Sequence, residues 1–245
     1  MTSLSGKRAF VTGGSRGIGA AIARRLAEDG ADVAISYDRA ADRADEVVAA
    51  IRASGGTGAA VRMGASDAGS IEAAVNGAAD ALGGLDILVN NAGIWRAGPI
   101  DEMTLEDIDE ALAVNLRGVI LATRAALPRM ADEGRIILTG SNLGGRAGAG
   151  TAVYSAAKAA LGGFARGLAR DVGPRAITVN VIHPGSTDTD MNPADGPFAE
   201  RQRERMAIPR YARPEDVAAF YAFVASAAAR SINGAELVVD GGANA

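Results

Sequence analysis

The chain has 245 residues, with 25 Lys and Arg against 29 Asp and Glu, a net charge of −4, and 48% hydrophobic residues with only 4% aromatic. That length suits one α/β domain with an aliphatic core, and the interspersed charges lack the basic face that nucleic acid requires. The absence of Cys and the single His exclude disulfides, cysteine nucleophiles and His-rich or thiolate metal sites, so no metal is expected.

The polar start, 1–8, resembles neither a signal sequence nor an anchor, and apolar runs such as 136–138 are too short to span a bilayer. A cytoplasmic protein with no membrane partner is expected. Apolar runs at 7–12, 32–37, 59–63, 86–90, 135–140, 176–182 and 236–240 read as seven buried strands. Segments with helical spacing alternate with them, at 17–29, 39–53, 70–82, 105–130, 152–172 and 214–226. That alternation implies right-handed crossovers. The expected fold class is α/β: a single doubly wound domain over 1–245, with a seven-stranded parallel sheet flanked by helices on both faces. The irregular stretch 184–214 carries Pro184, Pro193, Pro197 and Pro209 and a charged piece at 200–205. A loop that long in a compact domain is functional or disordered, and a substrate lid at about 186–213 is expected.

Directly after the first strand, Thr12-Gly13-Gly14-Ser15-Arg16-Gly17-Ile18-Gly19 opens an Ala-rich helix. Glycines let the backbone turn sharply and approach a pyrophosphate, which then rests at the positive end of the helix. Tight strand-to-helix turns use Gly without any ligand as well, and it is the strand–turn–helix context that favours a nucleotide. The spacing TGxxxGxG is similar to the glycine motif of the short-chain dehydrogenase/reductase family, whose members share the Rossmann fold. Asn90-Asn91-Ala92-Gly93 resembles that family's NNAG segment, and Pro184-Gly185 with Thr189 resembles its PGxxxT. The resemblance runs on to Asp240-Gly241-Gly242 and includes the 3-oxoacyl-carrier-protein reductase-like branch. It implies cofactor contacts from Gly13, Ser15, Arg16, Gly17, Ile18, Gly19, Asn91, Ala92, Gly93, Pro184, Gly185, Thr187 and Thr189.

Nicotinamide cofactors are told apart at the adenosine ribose: an acid accepts the hydroxyls of NAD, and basic groups pair with the 2′-phosphate of NADP. By the resemblance, the NAD-selecting acid would fall on Tyr37, which is not acidic, and Arg16 sits where NADP users often carry a base. Asp38 pulls the other way and Arg39 pulls back. The balance favours NADP(H), with Tyr37 and Arg39 at the ribose, and leaves NAD(H) possible. Asp38 and Arg39 also read as a solvated helix start with Asp38 as its N-cap. Gly64-Ala65 stand where the family usually has an Asp and an apolar residue against the adenine, so that side-chain contact is not expected.

Tyr154 and Lys158, spaced YxxxK, share one face of a helix. Ser141 lies thirteen residues before Tyr154 at a strand end, and Asn115 lies in the preceding helix. Reduction of a ketone needs a proton for the developing alkoxide, and a nearby ammonium would lower the Tyr pKa from its ordinary value of about 10. The resemblance makes Tyr154 the general acid in reduction and Ser141 the group that polarises the carbonyl. It also places Lys158 on the nicotinamide ribose and Asn115 on a water leading to solvent. A hydrolase would need His183 as a base for Ser141, but no orienting acid is visible, so His183 reads as structural.

The expected substrate is a hydrophobic ketone or secondary alcohol, or a 3-oxoacyl compound, held by Ile94, Trp95, Leu143 and 144–150, with Trp95 equally readable as core or interface. Arg175 is a candidate basic patch for a carrier protein beside the entrance. By family resemblance a homotetramer, or a homodimer, is expected. The competing class is a nucleotide-binding regulatory protein with little turnover, and the intact catalytic set argues against it.

Overall fold

The structure, a computed structural model, describes residues 3–245; Met1 and Thr2, which begin the polar 1–8 lead, lie outside the described residues. Strands β1 (Arg8–Val11), β2 (Asp32–Tyr37), β3 (Gly58–Arg62), β4 (Leu85–Asn90), β5 (Met130–Thr139), β6 (Thr178–Pro184) and β7 (Glu236–Val239) form one seven-stranded sheet. Its order is β3-β2-β1-β4-β5-β6-β7, with every pairing parallel. Winding reverses between β1 and β4, and the carboxyl ends of strands at such a reversal are where open α/β sheets take ligands.

The helices are α1 (Gly17–Glu28), α2 (Ala41–Ala53), α3 (Ala68–Leu82), α4 (Leu105–Leu112), α5 (Gly118–Ala126), α6 (Ala152–Asp171), α7 (Ala199–Arg203) and α8 (Pro214–Ala225). Ile22, Leu26, Val47, Ile51, Val217 and Tyr221 from α1, α2 and α8 close one face of the sheet over Val11, Ile35 and Val89. Ile71, Val75, Val119 and Leu161 from α3, α5 and α6 close the other over Phe10, Leu88 and Ile136. Each such aliphatic side chain contributes about 1.5–3 kcal/mol on burial, which explains why runs hydrophobic on both faces become inner strands.

Several boundaries differ from expectation for identifiable reasons. The helix expected over 105–130 is α4, a widened π turn at Ala113–Arg117, and α5, and it ends in a tight turn, Leu127–Arg129, around Pro128. Proline cannot continue the helical hydrogen bonding, so β5 starts at Met130 rather than 135, with an irregular register before Arg135 and Glu133 at φ 59°. The stretch Leu105–Arg129 is, at 25 residues, long and apolar enough to cross a membrane by length and composition alone. Here α5 packs on α3 and β4. Helix α2 starts after Ala40 with no side-chain cap, so Asp38 is not its N-cap. Asp67 does cap α3, accepting from Ser70 N at 2.6 Å. The stretch 184–214, expected to be irregular, holds α7, and Thr187 pairs with Ala212 at its base.

Candidate active site

The glycine turn joins β1 to α1 with Gly13 at φ 64° and Gly17 at φ 53°, left-handed backbone that favours glycine. A Cβ on Gly19 would stand 2.3 Å from Gly13 O and 2.5 Å from Asn91 Nδ2, so the loop can cross itself only without a side chain there. Thr12 and Asn91 stitch β1 to β4. Thr12 Oγ1 accepts from the N–H groups of Asn91 (2.9 Å) and Ala92 (3.0 Å), and Asn91 Nδ2 donates to the carbonyls of Thr12 and Gly13 at 3.1 Å each. Arg16 precedes α1 without capping it, so the N–H groups of Gly17, Ile18 and Gly19 have no intrahelical acceptor. Beside the part-exposed Ser15, they form the donor set and positive dipole end that suit a pyrophosphate.

The four expected catalytic residues come together from three elements: the end of β5, the π turn and α6. Ser141 follows β5, and its Oγ accepts from Leu143 N at 3.2 Å. Tyr154, one turn before Lys158 on α6, shares a hydrogen bond with Ser141. Lys158 is buried, and its Nζ donates to Thr139 O at 2.9 Å. Asn115, wholly buried in the π turn, accepts from Ile94 N (3.1 Å) and donates to Ile94 O (3.0 Å) through its amide. Widened turns of this kind recur at functional sites. Gly93 makes room between them: a Cβ there would meet Asn115 Oδ1 at 3.0 Å and Lys158 Nζ at 3.5 Å.

The electrostatics of this cluster depart from expectation. Burial pulls Lys158 down to about 8. Burial also pushes Tyr154 up, offset in part by the hydrogen bond with Ser141. Lys158 therefore does not hold the phenol below its ordinary value. Its Nζ lies 5.9 Å from the Tyr154 ring centre and is turned to the Thr139 carbonyl, and desolvation of a phenolate outweighs a cation so placed.

At the expected ribose end, Tyr37 closes β2, and Arg39 is 92% exposed beside Asp38, 3.5 Å away. Arg16 (3.7 Å) and Arg43 instead converge on one oxygen of Asp190, from the stretch after β6. Sequence reasoning missed Arg43 and Asp190, and no local spacing could join residues so far apart in the chain. Next to this cluster, Thr189 packs on Gly17, whose Cβ would stand 3.3 Å from Thr189 Cγ2. Pro184 pairs with Val239, Gly185 packs on Asp240, and Thr187, buried, donates to Gly185 O at 3.1 Å.

Trp95 is 42% exposed and meets the Tyr154 ring edge-on, 4.7 Å between centres, which makes it a wall of the site rather than core. Arg175 is not beside the entrance. It precedes β6 at the opposite end of the sheet and donates to Asp132 (2.8 Å), Leu127 O (3.0 Å) and Met130 O (2.5 Å). His183 does have an acid, contrary to expectation: Glu236 Oε2 lies 3.1 Å from its Nε2. Its Nδ1, however, faces the Ser141 main chain, at 3.2 Å from N and 2.9 Å from O, which is not the geometry of a hydrolytic Ser–His pair.

The chain matches the family described as enoyl-(acyl carrier protein) reductase over residues 13–244. It is 43% identical, over 98% of both chains, to the cyclic-di-GMP-binding biofilm dispersal mediator protein of Escherichia coli K12. It is 40% identical, over 99% of this chain and 98% of the relative, to a 3-oxoacyl-[acyl-carrier-protein] reductase of Synechocystis. A solved short chain dehydrogenase from Burkholderia cenocepacia J2315, in complex with NADP, matches with a TM-score of 0.97 at 59% identity, covering 99% of each chain. With likeness of that extent over a sheet of this order, the chain belongs to the short-chain dehydrogenase/reductase family of oxidoreductases, on the branch that resembles 3-oxoacyl-carrier-protein reductases.

Proposed function

We propose that this protein is an NADP(H)-dependent carbonyl reductase acting on a hydrophobic ketone, a 3-oxoacyl compound or the corresponding secondary alcohol. The observation that carries the reading is the meeting of Ser141, Tyr154 and buried Lys158 beside the glycine turn between β1 and α1. The turn fits a dinucleotide because Gly13 and Gly19 leave a cradle that a Cβ would fill. Gly13, Ser15, Gly17, Ile18 and Gly19 would hold the pyrophosphate, with Asn91, Ala92 and Gly93 along the groove. Arg16, Tyr37 and Arg39 would serve the phosphorylated ribose, joined by Arg43. Pro184, Gly185, Thr187 and Thr189 would meet the nicotinamide end. The NADP bound to the 59% identical structure supports this choice over NAD(H).

The bound dinucleotide supplies or accepts the hydride. Ser141 Oγ holds the substrate oxygen where charge develops. Tyr154, a phenol that burial makes still harder to ionise, gives that oxygen its proton in reduction and recovers it in oxidation. Lys158 provides positive charge beside the phenol and would hold the nicotinamide ribose, while Asn115 fixes the Ile94 loop that frames the site. Trp95, Ile94 and Leu143 offer the substrate an apolar wall. The stretch 186–213 acts as a lid, and the enzyme works as a cytoplasmic homotetramer or homodimer.

The relative named for cyclic-di-GMP binding favours a second reading, a nucleotide-binding regulator with little turnover. Oxidation of NADPH and NADH against aromatic, cyclic and β-keto ester ketones separates the two. Turnover that falls by roughly 10²–10⁴ in Tyr154→Phe is expected. Turnover indifferent to that change would sink the mechanism, and tight nucleotide binding with no turnover would support the regulator.

A further inference from the structure

The ladder between β5 and β6 stops just short of the catalytic serine. Its last pair is Thr139 with Ile182, and Gly140 N still donates to Ile182 O at 2.7 Å. The next residue, Ser141, is extended (φ −163°, ψ 147°) and buried. Its N–H points at the ring of His183, whose Nδ1, 3.2 Å from Ser141 N and 2.9 Å from Ser141 O, is the acceptor of that N–H among the described residues. The Ser141 carbonyl has a donor of its own in Gly144 N, at 2.9 Å. Across the ring, Nε2 lies 3.1 Å from Glu236 Oε2, and Glu236 is in turn gripped by Arg166 of α6 at 2.5 Å. Two glycines are shaped around this chain of contacts. A Cβ on Gly140 would stand 2.4 Å from His183 Nδ1, and one on Gly162 would stand 2.3 Å from Glu236 Oε1.

We propose that His183 is a positioning residue for the reaction: its Nδ1 accepts the Ser141 N–H just past the end of the ladder and so fixes the main chain from which Ser141 presents its hydroxyl. The inference rests on the reading of Ser141 as the group that holds the substrate oxygen. An ionised carboxylate only accepts hydrogen bonds, so Glu236 selects the tautomer with its proton on Nε2 and leaves Nδ1 free to accept. Arg166 keeps the carboxylate in place, which ties the far half of α6 to the serine through three side chains. A displacement of well under an ångström at a reacting group is enough to slow a chemical step.

Asn and Gln separate the two ring nitrogens, because the Asn amide oxygen reaches the position of Nδ1 and the Gln amide reaches that of Nε2. The expected result is that His183→Gln lowers kcat about tenfold with the KM for NADPH unchanged, and that His183→Asn restores most of the loss. The chain has one His, so a nitrogen-15 NMR spectrum reads its ring without assignment, and the proton should sit on Nε2. A proton on Nδ1, equal losses in the two variants, or full activity in His183→Gln would each overturn the proposal. Ser141→Ala serves as the control. Full activity there would refute the role given to Ser141 itself, whereas loss there with His183→Gln intact would refute only the role given to His183.

Discussion

Replacing Lys158 with Met should abolish turnover and at the same time stabilise the protein measured without nucleotide. Lys158 is 3% exposed, and burial pulls its pKa from 10.5 to about 8. At about 1.4 kcal/mol per pH unit, keeping the ammonium charged costs the folded protein roughly 3 kcal/mol below pH 8. Met fills much of the same volume without charge but forfeits the Nζ bond to Thr139 O, which with a charged donor is worth about 1.5–3 kcal/mol. A net gain of up to about 1.5 kcal/mol at pH 7 follows from these two figures. The sign with pH is fixed by proton counts. Between about 8 and 10.5 the unfolded chain keeps the Lys158 proton and the folded chain has released it, so wild-type stability rises with pH across that window. The penalty is present in full below it. Urea unfolding followed by circular dichroism, with midpoint and slope compared for both proteins at pH 7 and 9.5, reads the difference. A variant less stable than wild type at pH 7, or a stability gap that does not narrow toward pH 10, would refute the reasoning.

Two further outcomes test the cofactor groove. Gly19→Ala forces a Cβ to within 2.3 Å of Gly13 O, and it should destabilise the fold by about 1–3 kcal/mol and abolish NADPH binding in a fluorescence titration; unaltered binding would contradict the cradle. Asp190→Asn frees Arg16 and Arg43, and since exposed ion pairs are worth about 0.2–1 kcal/mol, NADPH should bind up to about fivefold tighter with NADH unchanged. Arg43 holds the Asp190 carboxyl below its ordinary range, so this difference should persist down to about pH 4. An equal shift for both nucleotides would show that Asp190 does not compete with the 2′-phosphate.

What the sequence determined by itself is what short-range geometry encodes. Hydrophobic runs and helical spacing repeat over a few residues, so the alternation of strands and helices, and from it the seven-stranded parallel sheet, could be read directly. The glycine turn was legible because positive φ at Gly13 and Gly17 and the close crossing at Gly19 tolerate no other residue well. Tyr154 and Lys158 were legible because four residues are about one helical turn. Tertiary structure decided the rest. The π turn around Asn115 and the early start of β5 answer to packing against neighbours, and to Pro128, rather than to periodicity. Arg43 with Asp190, and Ser141 with His183 and Glu236, meet only because strand order brings distant segments to one end of the sheet. The direction in which Tyr154 and Lys158 titrate was likewise invisible in the motif YxxxK. It depends on how much water the fold removes from each group, and in this protein that desolvation outweighs the charge of the neighbour.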